Sequence, residues 1–110
     1  MTIREAAAFL SADILHEDFE DAPFKGAYSG DLLSDVLSRA KNGNALITIQ
    51  AHLNTVAVAA TNGLPLIIIC NSRPVPPDML AAAKEHGIAL LHTNENQFTV
   101  SGRLYSIITH

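Results

Sequence analysis

Hydrophobic and polar positions along the chain change their period repeatedly, and each change marks an element. Thr2-Ile3-Arg4-Glu5 fits a capping box, with threonine at the N-cap and glutamate three residues on, leading into Ala6, Ala7, Ala8, Phe9 and Leu10 as a short first helix. Ile14-Leu15-His16 reads as a brief edge strand, and the acidic run Glu17-Asp18-Phe19-Glu20-Asp21 with Pro23 reads as an exposed, solvated turn. Residues 24–28 then predict a short strand. Gly30 permits a tight turn there, and Asp31 is placed to cap a following helix. Leu32, Leu33, Val36, Leu37 and Ala40 recur at helical spacing, so one apolar stripe should cover a sheet while Ser34, Asp35, Ser38 and Arg39 face water. Lys41-Asn42-Gly43-Asn44 ends that helix, with glycine expected at C′.

The same plan repeats downstream. Residues 45–49 form a buried strand, and residues 53–60 form a helix of small apolar residues on all sides, enclosed by the domain or packed against a second subunit. Asn62-Gly63 stops this helix. Residues 64–70, Leu-Pro-Leu-Ile-Ile-Ile-Cys, are a continuous aliphatic run of the kind found in parallel sheets covered on both faces. The polar, proline-rich loop 71–78 leads into a helix over 79–86, with Pro76 or Pro77 in its approach and Lys84, His86 and Gly87 at its end. Residues 88–91 give a further strand, and Thr93 or Asn94 caps a last helix over 95–107. Strands alternating with helices predict an α/β fold: three layers, a predominantly parallel sheet flanked by helices, and a single domain over residues 1–110.

Composition sharpens this in two ways. Apolar residues make up 48% of the 110 positions and charged residues 16%, a balance that predicts apolar surface covered by a second copy or another protein. The net charge of −4 is local: Asp13, Glu17, Asp18, Glu20 and Asp21 stand in one segment, and without them seven basic residues face six acidic, a balance of +1. No basic stripe is available to hold a polynucleotide backbone, so nucleic acid is not an expected partner. One cysteine, no export segment and no apolar run of bilayer length predict a cytoplasmic protein without membrane association.

Candidate chemistry follows from the topology. Parallel strands bring all their C-terminal turns to one edge, where ligands of open α/β sheets bind. The residues gathered there are Ser29, Gly30 and Asp31; Gln50, His52 and Asn54; Asn71, Ser72 and Arg73; and His92 and Thr93, with Asn94 beside them. They offer hydrogen bonds, one arginine able to grip phosphate or carboxylate with two nitrogens, and two histidines. The set resembles a binding rim more than a reaction centre. Each member also has a structural role open to it: turn residues satisfy backbone groups, His86 suits a helix end, and Asp31 and Asp35 serve as cap and solvated face. Cys70, His52 and His92 could in principle bind zinc, but their spacing is not diagnostic and packing is the expected role of Cys70. Phosphate-loop, nucleophile-elbow, zinc-helix and dinucleotide fingerprints do not occur.

Tyr28-Ser29-Gly30-Asp31-Leu32-Leu33-Ser34-Asp35-Val36-Leu37 and then Ile47-Thr48-Ile49-Gln50-Ala51-His52-Leu53-Asn54-Thr55-Val56-Ala57-Val58-Ala59 resemble the DRTGG domain family. The similarity continues through residues 66–71 and ends near Ser101-Gly102-Arg103-Leu104-Tyr105. It implies an α/β domain that elsewhere accompanies CBS-pair regulatory pyrophosphatases and bacterial phosphotransacetylases, associates as a dimer, and is accessory or regulatory rather than catalytic. Adenine-nucleotide sensing by some such proteins gives a ligand class. No contiguous Asp-Arg-Thr-Gly-Gly string occurs, and no ligand residue carries over. The expectation is therefore a non-catalytic, homodimeric, ligand-sensing module for a nucleotide or another anionic, phosphorylated metabolite, its cofactor unspecified. The alternatives are a protein-interaction subunit of a larger complex and, last, a small enzyme using His52 or His92.

Overall fold

The computed structural model describes residues 1–108; the last two positions of the expected domain, Thr109 and His110, lie outside the described residues. Its elements run α1 (Ile3–Leu10), β1 (Asp13–Ile14), β2 (Ala27–Ser29), α2 (Leu33–Arg39), β3 (Ala45–Thr48), α3 (Leu53–Asn62), β4 (Leu66–Ile69), α4 (Pro77–His86), β5 (Ala89–His92) and α5 (Gln97–Ile107). The five strands form one sheet in the order β1-β5-β4-β3-β2. β2 to β5 are parallel, and only β1 runs antiparallel, along β5.

Because each parallel strand lies directly beside the one before it, right-handed crossovers stack α2, α3 and α4 on the same face. Val36, Val56, Ala59, Met79 and Ala83 of these helices pack on Leu46, Ile67, Ile69 and Leu90 of the sheet. On the opposite face Ile3, Ala6, Ala7 and Leu10 of α1 and Val100 and Leu104 of α5 pack on Ala45, Ile47, Leu66, Ile68, Ala89 and Leu91. Alternate residues of each strand thus feed two separate cores, the arrangement that continuous aliphatic runs predict. The capping box forms as expected: Thr2 Oγ1 accepts from Glu5 N, and Glu5 Oε1 accepts from Thr2 N.

Several local expectations are corrected. Asp31 does not cap α2; its carboxylate is drawn to donors on neighbouring segments, and Leu32 stands at the N-cap with no side-chain bond. Gly43, at φ +83°, lies in the turn beyond the helix, not at C′. The helix ends instead on Asn62, whose Nδ2 reaches the carbonyls of Val36, Leu37 and Ala40 at 3.0–3.2 Å. The stripe of α2 is only partly covered: Val36 and Ala40 are buried, whereas Leu32 is 68% and Leu37 47% exposed, because α2 sits over the sheet's margin. In α3 just one face is buried, by Thr55, Val56 and Ala59. Pro77 takes the first helical position of α4 behind Pro76, and Gly63 and Gly87 terminate α3 and α4 in the left-handed conformation. α5 starts two residues later than expected, with Asn96 as its cap, since Thr93 and Glu95 are engaged by the adjacent loop.

Candidate functional site

The parallel sheet sets the loops after β2, β3, β4 and β5 at one edge, and two knots of hydrogen bonds hold them there. The first centres on Asp31. Its Oδ1 accepts from Thr48 Oγ1, from Ile49 N and from Gln97 Nε2, at 2.9, 2.9 and 3.0 Å. Three donors on one carboxylate oxygen join the β2 turn, the end of β3 and the start of α5. Gly30 serves the same turn, since its N–H donates to Ile47 O and an added Cβ would sit 3.2 Å from the Tyr28 ring. The Tyr28 hydroxyl donates to Asp35, and that bond is the main reason its ionisation is pushed above the usual tyrosine value.

The second knot ties the β4 loop to the β5 loop. Asn71 and Ser72 adopt left-handed backbone, φ +60° and +51°, which aims their N–H groups at Glu95 O and Thr93 O, both 2.9 Å away. The His92 ring donates from Nε2 to Arg73 O at 2.8 Å. Between the knots Cys70 N donates to Thr48 O, and the buried Cys70 thiol is pushed up to about 11 by desolvation first and by the charges of Asp31 and Glu95 next.

His52 and Asn54 belong to neither knot, and Gln50 meets the first only through its backbone. Gln50 N donates to Thr48 Oγ1, and Gln50 O accepts from Thr55 Oγ1. His52 caps α3, its Nδ1 accepting from Asn54 N at 3.1 Å. Both candidate histidines are therefore fixed by backbone bonds, and their second nitrogens carry no partner among the described residues. Cys70, His52 and His92 do not assemble: no group of three metal-ligating side chains converges among the described residues. Arg73 has an exposed guanidinium with no ion pair among the described residues.

Two residues that hold the rim were not singled out from the sequence. Thr48 is legible in retrospect as the one hydroxyl closing an aliphatic strand. Gln97 has no local signal, being 66 residues from Asp31. The strand order also runs without reversal through the parallel strands, so the rim lacks the crevice that forms where a sheet's winding changes direction. The rim is a laced surface. A cavity of about 240 Å³ lies elsewhere, along the free side of β2 beneath α5, and takes in Ser29 alone of the eleven candidates. His92 borders a second depression, with Leu15, Pro74, Val75 and Leu80.

Comparison with known proteins places this architecture. A family model described as HPr serine kinase N terminus matches residues 47–108, more than half of the chain. Among solved structures, the chain is similar to the CBS and DRTGG domains of the regulatory region of Clostridium perfringens pyrophosphatase, crystallised with its activator, diadenosine tetraphosphate. The TM-score is 0.72 at 14% identity, over 94% of this chain and 45% of that one, so the likeness is one of fold and the chain spans under half of its neighbour. No curated protein matches the chain.

Proposed function

Because the chain belongs to the family described as HPr serine kinase N terminus and has a DRTGG-like fold, we propose that it is a non-catalytic regulatory module that senses a nucleotide or another phosphorylated metabolite at the C-terminal edge of its sheet. The observation that carries the proposal is Arg73. Its guanidinium is exposed and free of carboxylates among the described residues, while the loop beneath it is held by the bonds of Asn71, Ser72 and His92. A fixed mount with an unspent planar fork suits a phosphate group, since little ordering remains to be done on binding. Gln50, His52 and Asn54 at the neighbouring helix start supply further polar contact. The non-catalytic reading is supported by the two histidines, each committed to a backbone group, and by the protonated, buried state of Cys70. The activator of the clostridial pyrophosphatase region supplies the first ligand class to try.

Thermal unfolding with AMP, ATP, diadenosine tetraphosphate and a panel of sugar phosphates tests this. A ligand at one hundred times its dissociation constant adds about 2.7 kcal/mol, a rise of several degrees in Tm for a domain of this size. The rise should disappear in Arg73→Gln. A panel without any shift removes the sensor reading.

A second reading, a homodimeric or otherwise assembled interaction subunit in the cytoplasm, is favoured by one observation. Leu32, Phe98 and Tyr105 are 68, 87 and 67% exposed, a large apolar area for so small a protein. Sedimentation that shows monomers alone at high concentration, with no co-purifying protein, counts against it.

A further inference from the structure

The cavity along β2 shares only Ser29 with the rim candidates and has a chemistry of its own. Gly26 O accepts from Ala45 N and Gly30 N donates to Ile47 O, so the strand's alternate residues, Ala27 and Ser29, turn their backbone groups away from β3. Their side chains face the α5 side, where a cavity is left between the strand and the helix. The floor and walls there are Ala27, Ile47, Leu104 and Ile108, and among the described residues no acidic side chain lines the space. About 240 Å³ corresponds to roughly eight water volumes of ~30 Å³ each, and largely apolar walls offer water few partners.

Four polar side chains interrupt the apolar lining, Lys25, Ser29, Ser101 and Tyr105, and two of them decide its chemistry. Ser101 Oγ is buried and has no hydrogen-bond partner among the described residues, although it stands in a helix where the preceding turn's carbonyls are within ordinary reach of a serine. Among the described residues Lys25 is the sole charged one of the lining and has no ion-pair partner. An apolar body would be matched by the walls, a hydrogen-bonding head by Ser101, and a single negative charge by Lys25. A doubly charged phosphate would find one cation only, and a neutral hydrocarbon would leave the buried hydroxyl unsatisfied.

We propose that this cavity is a binding site for a small monocarboxylate with an apolar body, of about the size of benzoate or hexanoate. The probes are benzoate and hexanoate set against their neutral amides, benzamide and hexanamide, followed by amide chemical shifts in two-dimensional NMR. Both acids should perturb Ser29, Ile47, Ser101 and Leu104 and bind about tenfold more tightly than the amides, the scale of a charge-assisted over a neutral hydrogen bond. Lys25→Gln, at an exposed position, should abolish that preference while the amides bind as before. Ala27→Leu should fill the cavity from its exposed rim and remove the binding of all four, with an unchanged circular dichroism spectrum showing that the fold persists. Equal binding of acids and amides, a preference that survives Lys25→Gln, or perturbations away from these residues would overturn the assignment. Arg73→Gln should leave the carboxylate response intact, which separates failure of this site from failure of the rim.

Discussion

At the centre of the sheet Leu66–Ile69 of β4 are buried on both faces, whereas at the margin Ala27–Ser29 of β2 alternate between exposed and half-buried. The difference lies in the neighbours. β4 has a strand on either side and helices above and below, so every position is enclosed whatever its period. β2 has one neighbour, its covering helix α2 leaves Leu32 and Leu37 in water, and on the other face a cavity opens between it and α5. The opposite margin is finished differently: β1 pairs along β5, and His16, itself buried, donates from Nε2 to Ile88 O at 2.7 Å while its Nδ1 accepts from Asp18 N. One flank is sealed and the other is left available, which is why both the cavity and much of the exposed apolar area fall on the β2 side.

Substitutions can sharpen that contrast, beginning with the centre. Ile68→Ala should lose about 3–4 kcal/mol in urea denaturation, because a fully enclosed aliphatic side chain leaves a cavity. The same measurement on Leu32→Ala should change by less than about 0.5 kcal/mol. A similar loss at both sites would mean that the margin is as well packed as the middle.

Asp31→Ala should come next, at about 2 kcal/mol, since it strands the Thr48 hydroxyl, the Ile49 N–H and the Gln97 amide together. Asp31→Asn, which keeps an oxygen in place, should recover most of the loss. An equal effect of the two would show that charge, not the shared acceptor, joins the margin to the rest of the rim.

A further contrast concerns Cys70 at the end of β4. Burial pushes its folded thiol up to about 11 from an ordinary value of 9.0, so the unfolded chain ionises first and stability falls as pH rises between those limits. Comparison with Cys70→Ala isolates the term, and the stability of the native protein relative to that variant should drop by about 1 kcal/mol between pH ~8 and pH ~10. In the same range the native thiol should resist alkylation until the protein is unfolded. Rapid labelling would show that the centre is more open than its burial indicates.

The parts of this arrangement that could be read from the sequence are those set by short-range pattern. Aliphatic runs at residues 45–49 and 64–70, the capping box at Thr2 and the glycines at 63 and 87 each carry their instruction within a few residues. What could not be read depends on partners far along the chain. Asp31 has the composition of a helix cap, and only the approach of Thr48 and Gln97 diverts it. The glycine after α2 has the composition of a terminator, yet Asn62, from the following helix, collects those carbonyls instead. The apolar stripe of α2 was legible as a stripe, but its position over the margin, with two leucines uncovered, required the strand order. For the rim, the parallel chain direction gathers the loops at one edge, while their lacing into two knots and the cavity beside β2 had no local signature.

The sheet's wiring bears on the route by which the molecule assembles. From β2 onward each strand docks against its immediate successor, so closure loops are short and that half can zip up stepwise. β1 and α1 are tied instead to β5 and α5, which puts nearly the whole intervening chain inside one loop. This arm completes its packing only once β5 and α5 are in place. Pulsed hydrogen exchange during refolding should accordingly find the amides of Ile3–Leu10 protected after those of Leu66–Ile69.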